Sequence, residues 1–97
     1  MKVIFSATAK KQLREILLYF VDRNCSREYS DKLLHSIVSK LKIITPDVVL
    51  GVKTDKARVY RIRVENYGIE YQLRSNSVKV VAIFDVRRNI NAEQFGL

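Results

Sequence analysis

The sequence is poor in the residues that cross-link or interrupt a chain. It has one cysteine, Cys25, so no internal disulfide can form, and a reducing, cytoplasmic setting fits better than secretion. Its one histidine, His35, cannot build a zinc site with that single thiol, and Ser-His-Asp or Cys-His nucleophiles would all depend on it. Three glycines, at positions 51, 68 and 96, form neither a phosphate-binding loop nor a dinucleotide fingerprint. No apolar run approaches the roughly 20 residues of a membrane span, and the N-terminal MKVIF is too short for a signal-peptide core. Metal, cofactor and membrane are therefore not expected.

Acidic residues are also scarce: 10 Asp and Glu stand against 18 Lys and Arg, a net charge of +8. Such an excess favours polyanionic partners, namely RNA, DNA, the ribosome or an acidic protein. With 97 residues the chain is read as one domain, 1–97, large enough for a single modest core.

Before the lone Pro46 the pattern is helical. Lys2 to Phe5 is a short apolar strand, and Ser6 is placed to cap a helix running to about Asp22. Leu13, Ile16, Leu17 and Phe20 form its inward stripe. Ser26 is placed to cap a second helix to about Ile44, with a stripe of Leu33, Leu34, Ile37, Val38, Leu41 and Ile44. Only Arg23, Asn24 and Cys25 separate the two, which predicts an antiparallel helical hairpin. His35 shares a face with Glu28, Asp31, Lys32 and Lys42 and is read as solvated rather than as a ligand or base.

From Gly51 to Asn89 the period changes to two. Tyr60, Ile62 and Val64 alternate with Arg61, Arg63 and Glu65, and Ile69, Tyr71 and Leu73 alternate with Glu70, Gln72 and Arg74. Turns at Asn66-Tyr67 and Asn76-Ser77 would set Val64 opposite Ile69, Ile62 opposite Tyr71, and Arg63 opposite Glu70. The third run continues the buried face through Val78, Val80, Ala82 and Phe84. Lys79, Val81, Ile83, Asp85 and Arg87 then lie on the other face. Val81 and Ile83 are too apolar for a solvated face, so a cover over that part of the sheet is expected. Tyr60 and Tyr71 are expected in the core, and Asp85 is expected to hold Arg87 or a nearby turn.

These elements and three motifs resemble the RelE/ParE superfamily, the toxins of bacterial type II toxin–antitoxin modules. The motifs are Tyr60-Arg-Ile-Arg63, Tyr67-Gly-Ile-Glu-Tyr71 and Phe84-Asp-Val-Arg-Arg-Asn89, with Leu50-Gly-Val-Lys-Thr-Asp55 leading in. The resemblance implies an α+β fold: a short N-terminal strand, an antiparallel helical hairpin and a three-stranded antiparallel meander, with the helices on one sheet face. It also implies growth inhibition, plasmid stabilisation, and neutralisation by an antitoxin within a hetero-oligomer.

Two targets follow from the resemblance. RelE-like members cleave ribosome-bound mRNA as metal-independent endoribonucleases, and for that chemistry Arg61, Arg63, Arg87 and Arg88 match the basic positions. Guanidinium groups can stabilise the charged phosphate without a histidine. However, Gly68 stands where those nucleases carry an arginine, and Phe95 replaces the late tyrosine and has no proton to give. ParE-like members share the fold and inhibit DNA gyrase. In either case Val81, Ile83 and Arg87 are the expected antitoxin-binding residues. A non-toxic interaction module of the same fold is the alternative.

Overall fold

A computed structural model of the chain describes residues 1–87. Arg88 and Phe95 lie outside the described residues. The elements run β1 (Lys2–Phe5), α1 (Ala7–Asn24), α2 (Glu28–Lys42), β2 (Val52–Lys53), β3 (Val59–Val64), β4 (Tyr67–Leu73) and β5 (Ser77–Asp85). The strands form one mixed sheet ordered β1-β5-β4-β3-β2. β1 is parallel to β5, and β5, β4, β3 and β2 form antiparallel neighbours. The expected meander is therefore present, flanked by β1 and by the two-residue β2, which has too few residues to register as a period.

Local chemistry sets the helix ends. Ser6 caps α1 by accepting from the Ala9 N–H at 3.0 Å, while its own N–H donates to the Val80 carbonyl at 2.9 Å. α1 runs to Asn24 and stops where Cys25 adopts φ 52, a left-handed C-terminal conformation. Ser26 does not cap α2 directly, since the helix begins at Glu28, but its hydroxyl accepts from the Glu28 N–H at 3.1 Å. The two helices are tied by buried Ser30, whose hydroxyl donates to the Leu17 carbonyl at 2.6 Å.

Both helical stripes pack on one face of the sheet. Ala9 from α1 and Leu33, Ile37 and Leu41 from α2 share a core with Ile62, Val64, Ile69, Tyr71, Val78 and Val80. Leu13, Ile16, Leu17, Phe20 and Tyr60 pack at its margin. The Tyr71 hydroxyl donates to the Leu50 carbonyl at 2.6 Å, which fastens the segment after α2 to the sheet. Burial raises the Tyr71 pKa, and the proximity of Tyr60 adds to the shift.

Two strand registers differ from those the sequence predicts. The β3–β4 turn falls at Glu65-Asn66, with Glu65 at φ 55, so Val64 pairs with Tyr67, Ile62 with Ile69, and Arg61 with Glu70. The slip is two residues, so every side chain keeps its face. In β5 the pairing with β4 is interrupted at Glu70/Tyr71, where Ala82 and Val80 take consecutive partners and Val81 is the extra residue. This bulge reverses the alternation. Ile83 turns into the core at 2 % exposure, and Phe84 turns outward, the reverse of the sequence expectation.

A groove at the bare edge of the sheet

With both helices on one face, the other carries Arg61, Glu70 and Phe84 among its side chains. Arg61 donates to Glu70 Oε2 from Nη2 at 2.8 Å and from Nε at 3.2 Å, and its guanidinium lies 5.2 Å from the centre of the Phe84 ring. The close approach of Phe84 to β4 explains Gly68. A β-carbon there would lie 2.5 Å from the Phe84 ring, so the ring fills the space that a side chain at 68 would need.

Arg63 sits one alternation further along β3. It donates from Nε to the Glu65 carbonyl at 2.8 Å and from Nη2 to Asn66 Oδ1 at 3.5 Å, bracing the hairpin tip. The expected Arg63–Glu70 contact is thus replaced by Arg61–Glu70, as the register requires. Arg61 and Arg63 line one groove of about 590 Å³ together with Lys40, Leu50, Gly51, Val52, Ile62, Gly68, Phe84 and Val86. Its cations come from two elements, its lining includes no carboxylate among the described residues, and its floor is apolar. Lys40 gave no sequence signal, because only tertiary packing brings the last turn of α2 to β3.

Arg87 lies elsewhere. It borders a second cleft, of about 830 Å³, on the helix side of the sheet, with Tyr19, Phe20, Arg23, Tyr67 and Asp85. Asp85 holds it through Nη2–Oδ2 at 2.9 Å and Nε–Oδ1 at 3.1 Å, and accepts the Arg87 backbone N–H at 2.9 Å. That hydrogen bonding raises the Arg87 pKa, reinforced by the carboxylate charge. Burial, followed by the Asp85 charge, raises the Tyr67 pKa. Asp85 therefore has the holding role expected of it.

The predicted site residues are therefore divided. Arg61 and Arg63 share a groove, Arg87 faces another cleft, and Arg88 is outside the described residues. Among the expected antitoxin contacts, Ile83 is core, because the bulge turns it inward, and Val81 is half-buried at the bulge itself. The large apolar residues most open to solvent are scattered: Val52, 74 % exposed, lines the groove, whereas Leu18 at 56 % and Tyr19 at 53 % lie on α1 and Ile43 at 57 % follows α2. His35 is exposed, and among the described residues no His, Cys, Asp and Glu group is placed to hold a metal. Among them, too, no helix is long and apolar enough to cross a membrane.

Residues 3–90 match the family of the ParE toxin of the type II toxin–antitoxin system, parDE. The chain belongs to the ParE toxin family. A solved structure of the chromosomal ParDE TA system from P. aeruginosa shares the fold, with a TM-score of 0.70 and 17% identity over 89% of this chain and 96% of that chain. No curated protein matches in sequence. The superfamily resemblance read from the strand motifs is thus shown at the level of ParE, with the α+β fold it implied.

Proposed function

We propose that this chain is the growth-inhibiting toxin of a type II pair, held inactive by a co-encoded antitoxin and directed at a protein target of the gyrase kind. The observation that carries the choice of target is the state of the arginines. A ribonuclease of the RelE kind needs guanidinium groups converging on one phosphate. Here Arg61 is held by Glu70 and Phe84, Arg63 braces a turn, and Arg87 lies in a separate cleft with Asp85. Phe84 also fills the space at Gly68 where those nucleases carry a further arginine. A surface of this sort suits protein contact better than RNA cleavage.

The antitoxin reading rests on family membership and charge. A chain of net charge +8 whose helices α1 and α2 both pack on one sheet face, leaving the other without a helix among the described residues, suits an acidic partner that neutralises it and covers apolar residues. The test of target uses purified toxin in two assays. Loss of DNA supercoiling by gyrase on titration with toxin, with no new 5′ ends on ribosome-bound mRNA by primer extension, is the expected result. Codon-spaced cleavage with gyrase unaffected would reverse the target assignment.

A further inference from the structure

At the end away from the groove, the helix-free sheet face is cationic. Val3, Phe5, Leu73, Val78 and Val80 turn into the core, so alternation sets Lys2 and Ile4 of β1, Ser77 and Lys79 of β5, Gln72 of β4 and Arg74 just after it on the opposite side. Register fixes their spacing. Lys2 lies opposite Ser77, the Arg74 N–H donates to the Ser77 carbonyl at 2.9 Å, and Lys79 pairs with Ile4 on one side and Gln72 on the other. Lys2 and Arg74 are therefore two strand spacings apart, about 10 Å, and Lys79 is the diagonal neighbour of each at about 7–8 Å.

Little within the chain offsets these charges. Lys2 and Lys79 make no side-chain hydrogen bond or ion pair among the described residues, and Arg74 donates from Nε to an uncharged oxygen, Gln72 Oε1, at 3.1 Å. Glu70, the next outward residue of β4, is already held by Arg61. The rim adds the same sign: Arg58, whose carbonyl accepts the Leu73 N–H at 2.9 Å, is exposed just before β3, and Asp55 in the preceding turn stands among Lys53, Lys56 and Arg58.

We propose that this end of the sheet holds the phosphate backbone of double-stranded DNA without reading its sequence. Duplex DNA carries about one negative charge per 1.7 Å of axis, so cations spread over about 10 Å meet several phosphates at once. The remaining chemistry selects this occupant. A single strand needs aromatic side chains on which its bases stack, and the described residues of the patch include none, since Phe84 lies at the Gly68 end of the face. Duplex RNA is told from DNA through its 2′-hydroxyls, and the Gln72 oxygen that could accept from one is taken by Arg74. An acidic peptide needs an apolar seat, which here shrinks to Ile4, 37 % exposed. A second copy of the chain would bring its own +8 charge. Binding needs neither antitoxin nor gyrase, so its outcome is separate from the toxin reading.

The experiment titrates the full-length chain alone into a short labelled DNA duplex of arbitrary sequence, followed by fluorescence anisotropy. Kd should rise with salt with a log–log slope of about 3, one for each phosphate contact. Lys2→Gln, Arg74→Gln and Lys79→Gln together should raise Kd by about tenfold or more, and each alone should lower the slope by about 1. Lys2 and Arg74 are exposed and Lys79 is half-buried, so circular dichroism and the unfolding midpoint should stay those of the wild type. Lys10→Gln, Lys11→Gln and Arg14→Gln on the exposed side of α1 remove the same charge and should leave Kd within about twofold. In the wild-type chain, DNA should shift the amide NMR signals of Lys2, Gln72, Arg74 and Lys79 and leave those of α2 in place. Four results each overturn the assignment and leave the toxin reading standing: no binding at low salt, equal weakening by the two sets of substitutions, equal or tighter binding of an RNA duplex of the same sequence, or a response of those amides to anionic lipid vesicles and not to DNA.

Discussion

A side chain's face decides what its removal costs, and Ile83 and Phe84 are neighbours on opposite faces. Ile83 is enclosed by the core, so Ile83→Ala is expected to destabilise the fold by about 2–5 kcal/mol, the transfer term plus the cavity left behind. Phe84 is half-buried on the outer face against Gly68, so Phe84→Ala should cost less, about 1–2 kcal/mol on the scale of partial burial. Urea unfolding of the two variants checks the order, and equal or reversed losses would contradict the bulge. The two buried tyrosines make a second expectation. Tyr67 and Tyr71 titrate above the usual 10.0, chiefly because burial disfavours phenolate, so the folded chain keeps protons that the unfolded chain releases. Their contribution to stability is therefore complete below about pH 10 and is lost as pH rises through the folded-state values. The Tyr67→Phe, Tyr71→Phe double variant should show a shallower fall in unfolding free energy between about pH 9 and about pH 11 than wild type. An identical slope would contradict it.

At the scale of elements, the bulge in β5 depends on what its neighbours stop doing. β1 pairs with β5 only from Ser77 to Val80, after which the chain turns into α1 at Ser6. The edge that β1 abandons is met by α1: Gln12 Oε1 accepts the Ile83 N–H at 2.8 Å, and the Ser6 hydroxyl donates to the Val81 carbonyl at 3.4 Å. Gln12→Ala leaves the Ile83 N–H without that partner and should cost about 1–3 kcal/mol, measured by thermal or urea unfolding. A cost near zero would mean that the bulge does not lean on Gln12. The same contact explains what could be read from the sequence. The β3 and β4 faces were legible because an alternating pattern survives a two-residue slip, and the helical hairpin was legible because its stripes and its Ser6 cap are local. The bulge was not legible, because its cause lies in residues 6 and 12, about 70 positions away by the separations of those two contacts. For the site, alternation marked Arg61 and Arg63 as outward residues, but it could not bring Lys40 beside Arg63 or separate Arg87 from both. Those relations belong to packing between elements.

For the molecule as a whole, the division of labour between sheet faces is the main consequence of the fold. The helices use one face to build the core, and Arg61, Glu70 and Phe84 occupy the other above a basic groove. Some of the cations are paired within the chain, among them Arg61 with Glu70 and Arg87 with Asp85, in partly exposed contacts that contribute modestly to stability, and the net charge of +8 stands after every carboxylate is counted. That excess is available for an acidic partner, so affinity between toxin and antitoxin should fall as salt rises and screening shortens the reach of those charges. A Kd measured from low to high ionic strength checks this, and salt-independent binding would argue for an apolar interface instead. The central claim, a toxin silenced by its own antitoxin, is tested most directly by growth. Bacteria induced to make this chain alone should stop dividing, and bacteria making it together with the co-encoded antitoxin should grow as uninduced cells do. Normal growth with the chain alone, present at detectable levels and folded by circular dichroism after purification, would contradict the account.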